Sequence, residues 1–179
     1  MLFLGWQVAA RGLSYQAPGL LLGILDGANF IFHEAGHMLF VFFGPVLQAL
    51  GGSLTQIAIP LACTLSFWRR RRHAAAAATL FWAGESLTHV AIYIADARAM
   101  VLPLHGGPAV IHDWRYLLAR AGLVDAAPGL GQAVGGLGLL VILAALGVLA
   151  VDLLRILGAP DPAEPDPRSP TPEAGPTGQ

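Results

Sequence analysis

The chain has 179 residues, of which 55% are hydrophobic and 12% charged, and its mean hydropathy is +0.63. That is the composition of an integral membrane protein, and a net charge of -1 offers no basic field to nucleic acid, so nucleic acid is excluded as a partner. A single cysteine, Cys63, rules out an internal disulfide and a cysteine-based zinc site, and it reads as a small buried hydrophobe. All ten basic residues are arginine, which points to a GC-rich bacterial gene.

In chain order, residues 1–19 hold an apolar run too short to span and without a charged leader before it. They read as an interfacial or half-inserted helix ending at Pro18-Gly19. Residues 20–43 are long enough to cross a bilayer, and Gly44-Pro45 ends them. The stretch GPVLQALGGSLTQ, residues 44–56, reads as a loop in which Gly51-Gly52 either makes a turn or lets an extended substrate approach the backbone. A second apolar stretch closes on Trp68, and Arg69 to Arg72 follow, a cluster that belongs in the cytoplasm by the positive-inside rule. Residues 74–95 and 135–157 form two further spans. Between them, residues 97–132 carry Pro103, Gly106, Gly107 and Pro108 and read as an extramembrane connector or partly embedded cap, with His105, His112 and Asp113 solvated. Residues 159–179 are rich in proline and acid, cannot bury a core, and read as disordered. The expected fold is therefore all-α: a polytopic membrane helix bundle of about four transmembrane helices plus the short N-terminal helix. Residues 1–158 form the membrane-embedded domain, and both termini are cytoplasmic at the cell membrane.

Within the first span, His33-Glu34-Ala35-Gly36-His37 is an H-E-x-x-H sequence. Residues four apart share a helix face, so both imidazoles can hold one metal ion while the glutamate between them reaches the attacking water. Burying two histidines and a carboxylate in lipid costs several kcal/mol unless they are paired or bound, which argues for a functional site. Asn29 and Asp26 continue the same face, and Asp26 is either a proton-path or supporting residue or a plain interhelical hydrogen-bond partner.

Residues 28–44, ANFIFHEAGHMLFVFFG, resemble the metal-binding helix of the intramembrane zinc metalloproteases of the site-2 protease class. The resemblance implies Zn2+ as cofactor and hydrolysis of a peptide bond in or beside the bilayer. That class takes its third ligand from an aspartate in a downstream L-D-G-type motif. Here Leu25-Asp26-Gly27 lies upstream, so that ligand does not carry over. The stretch WAGESLTH, residues 82–89, is similar to the glutamate helix of thermolysin-type enzymes.

The third ligand is read by depth. With spans starting at Leu20 and Ala74 on one side, a rise of 1.5 Å per residue puts His33 and His37 about 20 and 26 Å up, and Glu85 and His89 about 17 and 23 Å up. Glu85 is favoured, with His89 as a further ligand or an electrophilic helper. Asp96 would lie about 33 Å up, at the outer surface, and His112 or Asp113 could serve only if the connector folds back into the membrane. The resulting expectation is a membrane zinc metallopeptidase: His33, His37, Glu85 and His89 at the metal, Glu34 as general base, a membrane protein or peptide as substrate, and room for a partner subunit. The alternatives are a divalent-ion transporter or sensor without hydrolysis, and an inactive scaffold.

Overall fold

A computed structural model of the protein describes residues 1–14, 19–102 and 111–158. The proposed helix end at Pro18, His105 and the tail 159–179 lie outside the described residues. Those described are helical, with no strand among them. The helices are α1 (Leu2–Arg11), α2 (Leu20–Phe40), α3 (Pro45–Arg69), α4 (His73–Asp96), α5 (Asp113–Ala121) and α6 (Ala127–Leu157), with single 3-10 turns at Val41–Phe43 and Val124–Ala126.

Two segments are long and apolar enough to cross a membrane: α3, and α6 together with the turn before it, Val124–Leu157. Helices α2 and α4 are of comparable length, but Asp26, His33, Glu34 and His37 in one and Glu85, His89 and Asp96 in the other lower their hydropathy. Polarity is inverted relative to a water-soluble bundle. Glu85, Asn29 and Ser86 are fully buried, whereas Phe42 is 91% and Leu20 83% exposed.

α2 packs on α3, α3 on α4, and α4 runs along α6. Small residues make these approaches possible. A Cβ on Gly36 of α2 would meet the Gly51 carbonyl of α3 and come within 2.7 Å of Thr55 Oγ1. Residues 44–56 are therefore not the loop expected from the sequence: they are the first turns of α3, Pro45 stands at its start, and Gly51-Gly52 serves helix contact rather than a turn. The last helix likewise begins at Ala127, earlier than the sequence pattern placed it. Cys63 is only half-buried.

α1 lies against the bundle. Val8 joins Leu22, Phe81, Ile142 and Ala145 in one apolar cluster, and Gly12, at φ 55°, ends the helix. Gly19, at the start of α2, lies beside Gln7 of α1.

Gly36→Val should force α2 from α3 and cost about 3 kcal/mol or more, because the obstructing atom is backbone and cannot yield. Gly27→Ala, on the same helix with nothing within 4 Å of the added carbon, should be neutral or stabilise by up to about 1 kcal/mol. Thermal unfolding of the purified variants measures the contrast.

Candidate metal centre

One helical turn separates His33 and His37, and their rings meet edge to face with centroids 4.7 Å apart. Gly52 of α3 makes room for the first ring, since a Cβ there would lie 2.7 Å from His33 Nε2. The third group comes from the connector. Asp113 Oδ2 lies 3.1 Å from His33 Nε2 and 3.3 Å from His37 Nε2. Tetrahedral zinc with ligand bonds of about 2.0–2.2 Å sets its donors about 3.3–3.5 Å apart. The three side chains offer ligand atoms all within 4.8 Å of one another, the right scale for one ion.

The remaining ring nitrogens are held by carbonyl oxygens. His37 Nδ1 lies 2.8 Å from the Gln48 carbonyl, and His33 Nδ1 lies 2.9 Å from Gln56 Oε1. The Gln56 amide nitrogen donates to the Ser86 carbonyl at 3.4 Å, which leaves its oxygen facing the imidazole. Carbonyls only accept, so each Nδ1 carries the proton and each Nε2 is directed at Asp113. This is how metal-ligating histidines are oriented in general.

Asp113 is positioned by an anchored connector. His112 caps α5, its Nδ1 accepting from the Arg115 amide at 3.2 Å, while its Nε2 reaches Asp96 Oδ2 at 3.3 Å. Asp96 also accepts from the amides of Val101 and Leu102, at 2.9 and 3.2 Å. The Asp113 amide donates to the Tyr93 hydroxyl at 3.2 Å, Tyr93 stacks on His112 at 4.1 Å, and Trp114 Nε1 donates to Ser53 Oγ at 3.0 Å. His112 is thus buried rather than solvated, and Asp96 is an internal anchor rather than a surface carboxylate. Burial pushes the His112 imidazole down from its usual value, outweighing the opposing pull of Asp96. Burial also pushes the Asp113 carboxyl up, but with His33 and His37 protonated on Nε2 as well, their hydrogen bonds outweigh it and hold the group below the usual carboxylate range.

Glu85, favoured from depth, is engaged elsewhere. Its Oε1 accepts from Arg11 at 3.0 Å and its Oε2 from Asn29 Nδ2 at 2.7 Å. Asn29 is itself fixed, its oxygen accepting from Trp82 and Ser86, both at 2.8 Å. Asp26 lies 3.4 Å from Arg11, completing an interhelical ion cluster. His89 makes no side-chain hydrogen bond among the described residues, and it feels the charges of Asp26, Arg11 and His33. Glu34 is exposed, and its charge acts on His37 and Tyr93. Tyr93 was not singled out from the sequence, and Gln56 was read as a polar residue of a substrate-facing loop rather than as the partner of His33. Tyr93 follows His89 by four residues and Glu85 by eight, so the same helical spacing could have found it. Comparison with family models, curated proteins and solved structures finds no match to this chain.

Imidazole nitrogen NMR should find Nδ1 of both His33 and His37 protonated. Replacing Gln56 with leucine should release that constraint at His33 alone. An unprotonated Nδ1 in the wild-type protein would contradict the arrangement.

Proposed function

We propose that the protein is a membrane-embedded zinc metallopeptidase, with His33, His37 and Asp113 holding the ion and Glu34 as general base. The observation that carries this reading is the convergence of two Nε2 atoms and one carboxylate oxygen, with each Nδ1 tied to a carbonyl. Three electron-rich atoms facing one point need a proton or a cation between them. Two imidazoles and one carboxylate form a donor set suited to zinc with a fourth position left open. The downstream aspartate also restores the histidine, histidine and aspartate set that the site-2 protease resemblance implies, in an His112-Asp113-Trp114 context in place of L-D-G.

Four spans, α2, α3, α4 and the apolar length of α6, suit the apolar exterior and polar interior of this bundle. The arginine run and Arg155 then face the cytoplasm, as do both termini. Held by His33, His37 and Asp113, zinc would supply Lewis acidity and lower the pKa of water toward neutrality. Glu34, one residue from a ligand and exposed, takes the proton from the water and delivers it to the leaving nitrogen. His33 and His37 are kept in one tautomer by Gln56 and Gln48, and Tyr93 holds the Asp113 backbone in place. The Arg11, Glu85 and Asn29 cluster braces α1, α2 and α4.

Metal analysis of the purified protein should find one zinc per chain, lost in His33→Ala and Asp113→Ala and retained in Glu85→Gln. Zinc-free wild-type protein, or retention in Asp113→Ala with loss in Glu85→Gln, would sink the assignment. Glu34→Gln should keep the metal and lower hydrolysis of a membrane-peptide library by about 10²–10⁴-fold.

A further inference from the structure

The ends of α3, α4 and α6 enclose a cleft of about 330 Å³ at the end of the bundle opposite the connector. Trp68 and His73 form one side, their rings edge to face with centroids 5.2 Å apart. Gly147, Val148 and Val151 of α6 form an apolar floor, and Asp152 and Arg155 lie at the same site. Gly147 has open space where a side chain would begin.

Arg69, Arg70, Arg71 and Arg72 form the chain segment between Trp68 and His73, two of the residues that line this cleft. Their backbone is fixed: the amides of Arg70, Arg71 and Arg72 donate to the carbonyls of Ser66, Trp68 and Phe67 at 3.2, 2.9 and 3.0 Å. Their side chains, like that of Arg155, are exposed and have no acidic or aromatic partner among the described residues. The other described arginines differ. Arg11 meets Glu85 and Asp26, Arg98 meets Asp125, Arg115 donates to the Ala97 carbonyl, and Arg120 lies over Tyr116. One unpaired cation, Arg155, therefore lines a small apolar cleft whose one lining carboxylate is Asp152, and four more stand in the segment that joins Trp68 to His73.

We propose that this cleft binds one anionic phospholipid, its phosphate held by the arginine run and Arg155 and a length of acyl chain lying on the Gly147 and Val151 floor. The inference rests on the membrane placement proposed above but not on the metal chemistry. Charge complementarity selects an anion, since clustered arginines at a membrane face attract anionic headgroups. The apolar floor selects a lipid over the acidic C-terminal segment, because APDPAEPDPRSPTPEAGPTGQ has no large aliphatic or aromatic side chain with which to fill it. Trp68 stands where an indole prefers the boundary between headgroup and chain.

The full-length protein in neutral detergent, titrated with phosphatidylglycerol or phosphatidylcholine of identical chains and read by native mass spectrometry, tests this. One phosphatidylglycerol should bind at least about tenfold more tightly than phosphatidylcholine. Arg155→Gln and Arg70→Gln should each weaken that binding about fivefold, the equivalent of roughly 1 kcal/mol per charge. Gly147→Phe should abolish it by filling the floor. Equal affinity for the two lipids, or binding indifferent to all three substitutions, would overturn the proposal. So would stronger binding after Asp161→Asn, Glu164→Gln, Asp166→Asn and Glu173→Gln are combined, since the tail would then be the occupant. Asp113→Ala should bind lipid as the wild type does, separating this site from the metal centre. A chain that stays soluble without detergent would instead remove the membrane placement and this inference together.

Discussion

One carboxylate oxygen shared between two imidazole nitrogens, 3.1 and 3.3 Å away, is the contact around which the rest of the molecule is arranged. Asp113 belongs to a short helix that would otherwise lie outside the bundle. Bringing its side chain to α2 requires the preceding residues to be turned inward and held. Asp96 does this by gathering two connector amides and His112, and His112 in turn caps α5. Neither histidine could accept such a partner without a settled tautomer, and α3 provides it through a backbone carbonyl and the Gln56 side chain. Four helices thus contribute to one point, α2 with the imidazoles, α3 with their orientation, and α4 and α5 with the carboxylate.

The second polar cluster obeys the same constraint from the other direction. Arg11, Glu85, Asp26 and Asn29 are too costly to bury singly in an apolar surrounding, and each lowers that cost for the others. The cluster sits about one helical turn below the histidines on α2, since Asn29 precedes His33 by four residues. Its consequence is architectural: a ten-residue helix that packs Val8 into the apolar cluster is also tied to the bundle by its last side chain. His89 lies between the two clusters electrostatically, and belongs to neither by hydrogen bonding.

The exterior complements this interior. Leu20, Phe42, Leu140 and Leu154 are exposed while Glu85, Ser86 and Gln56 are not, an arrangement that water would penalise and lipid would favour. Close helix approach through Gly36 and Gly51 lets the polar side chains reach one another across the interfaces.

Much of this was legible in the residues alone. The helical class follows from long apolar runs with no alternating pattern, and the histidine pair with Glu34 follows from spacing, because four residues return to one face whatever else the chain does. The short N-terminal helix, Leu2–Arg11, follows from an apolar run too short to span. Other features depended on tertiary structure. Depth along straight helices ranked Glu85 first because it is level with the histidines, but depth carries no information about direction, and Arg11, far away in sequence, claims that carboxylate. Gly51-Gly52 looked like a turn because glycine serves loops and close helix contacts equally well, and only the neighbouring Gly36 decides between them. Asp113 lay in a segment broken by glycine and proline, where no periodicity predicts a position. Local sequence determines which residues share a face; the partners those faces meet are set by long-range packing, and that is what brought Asp113 rather than Glu85 to the two histidines.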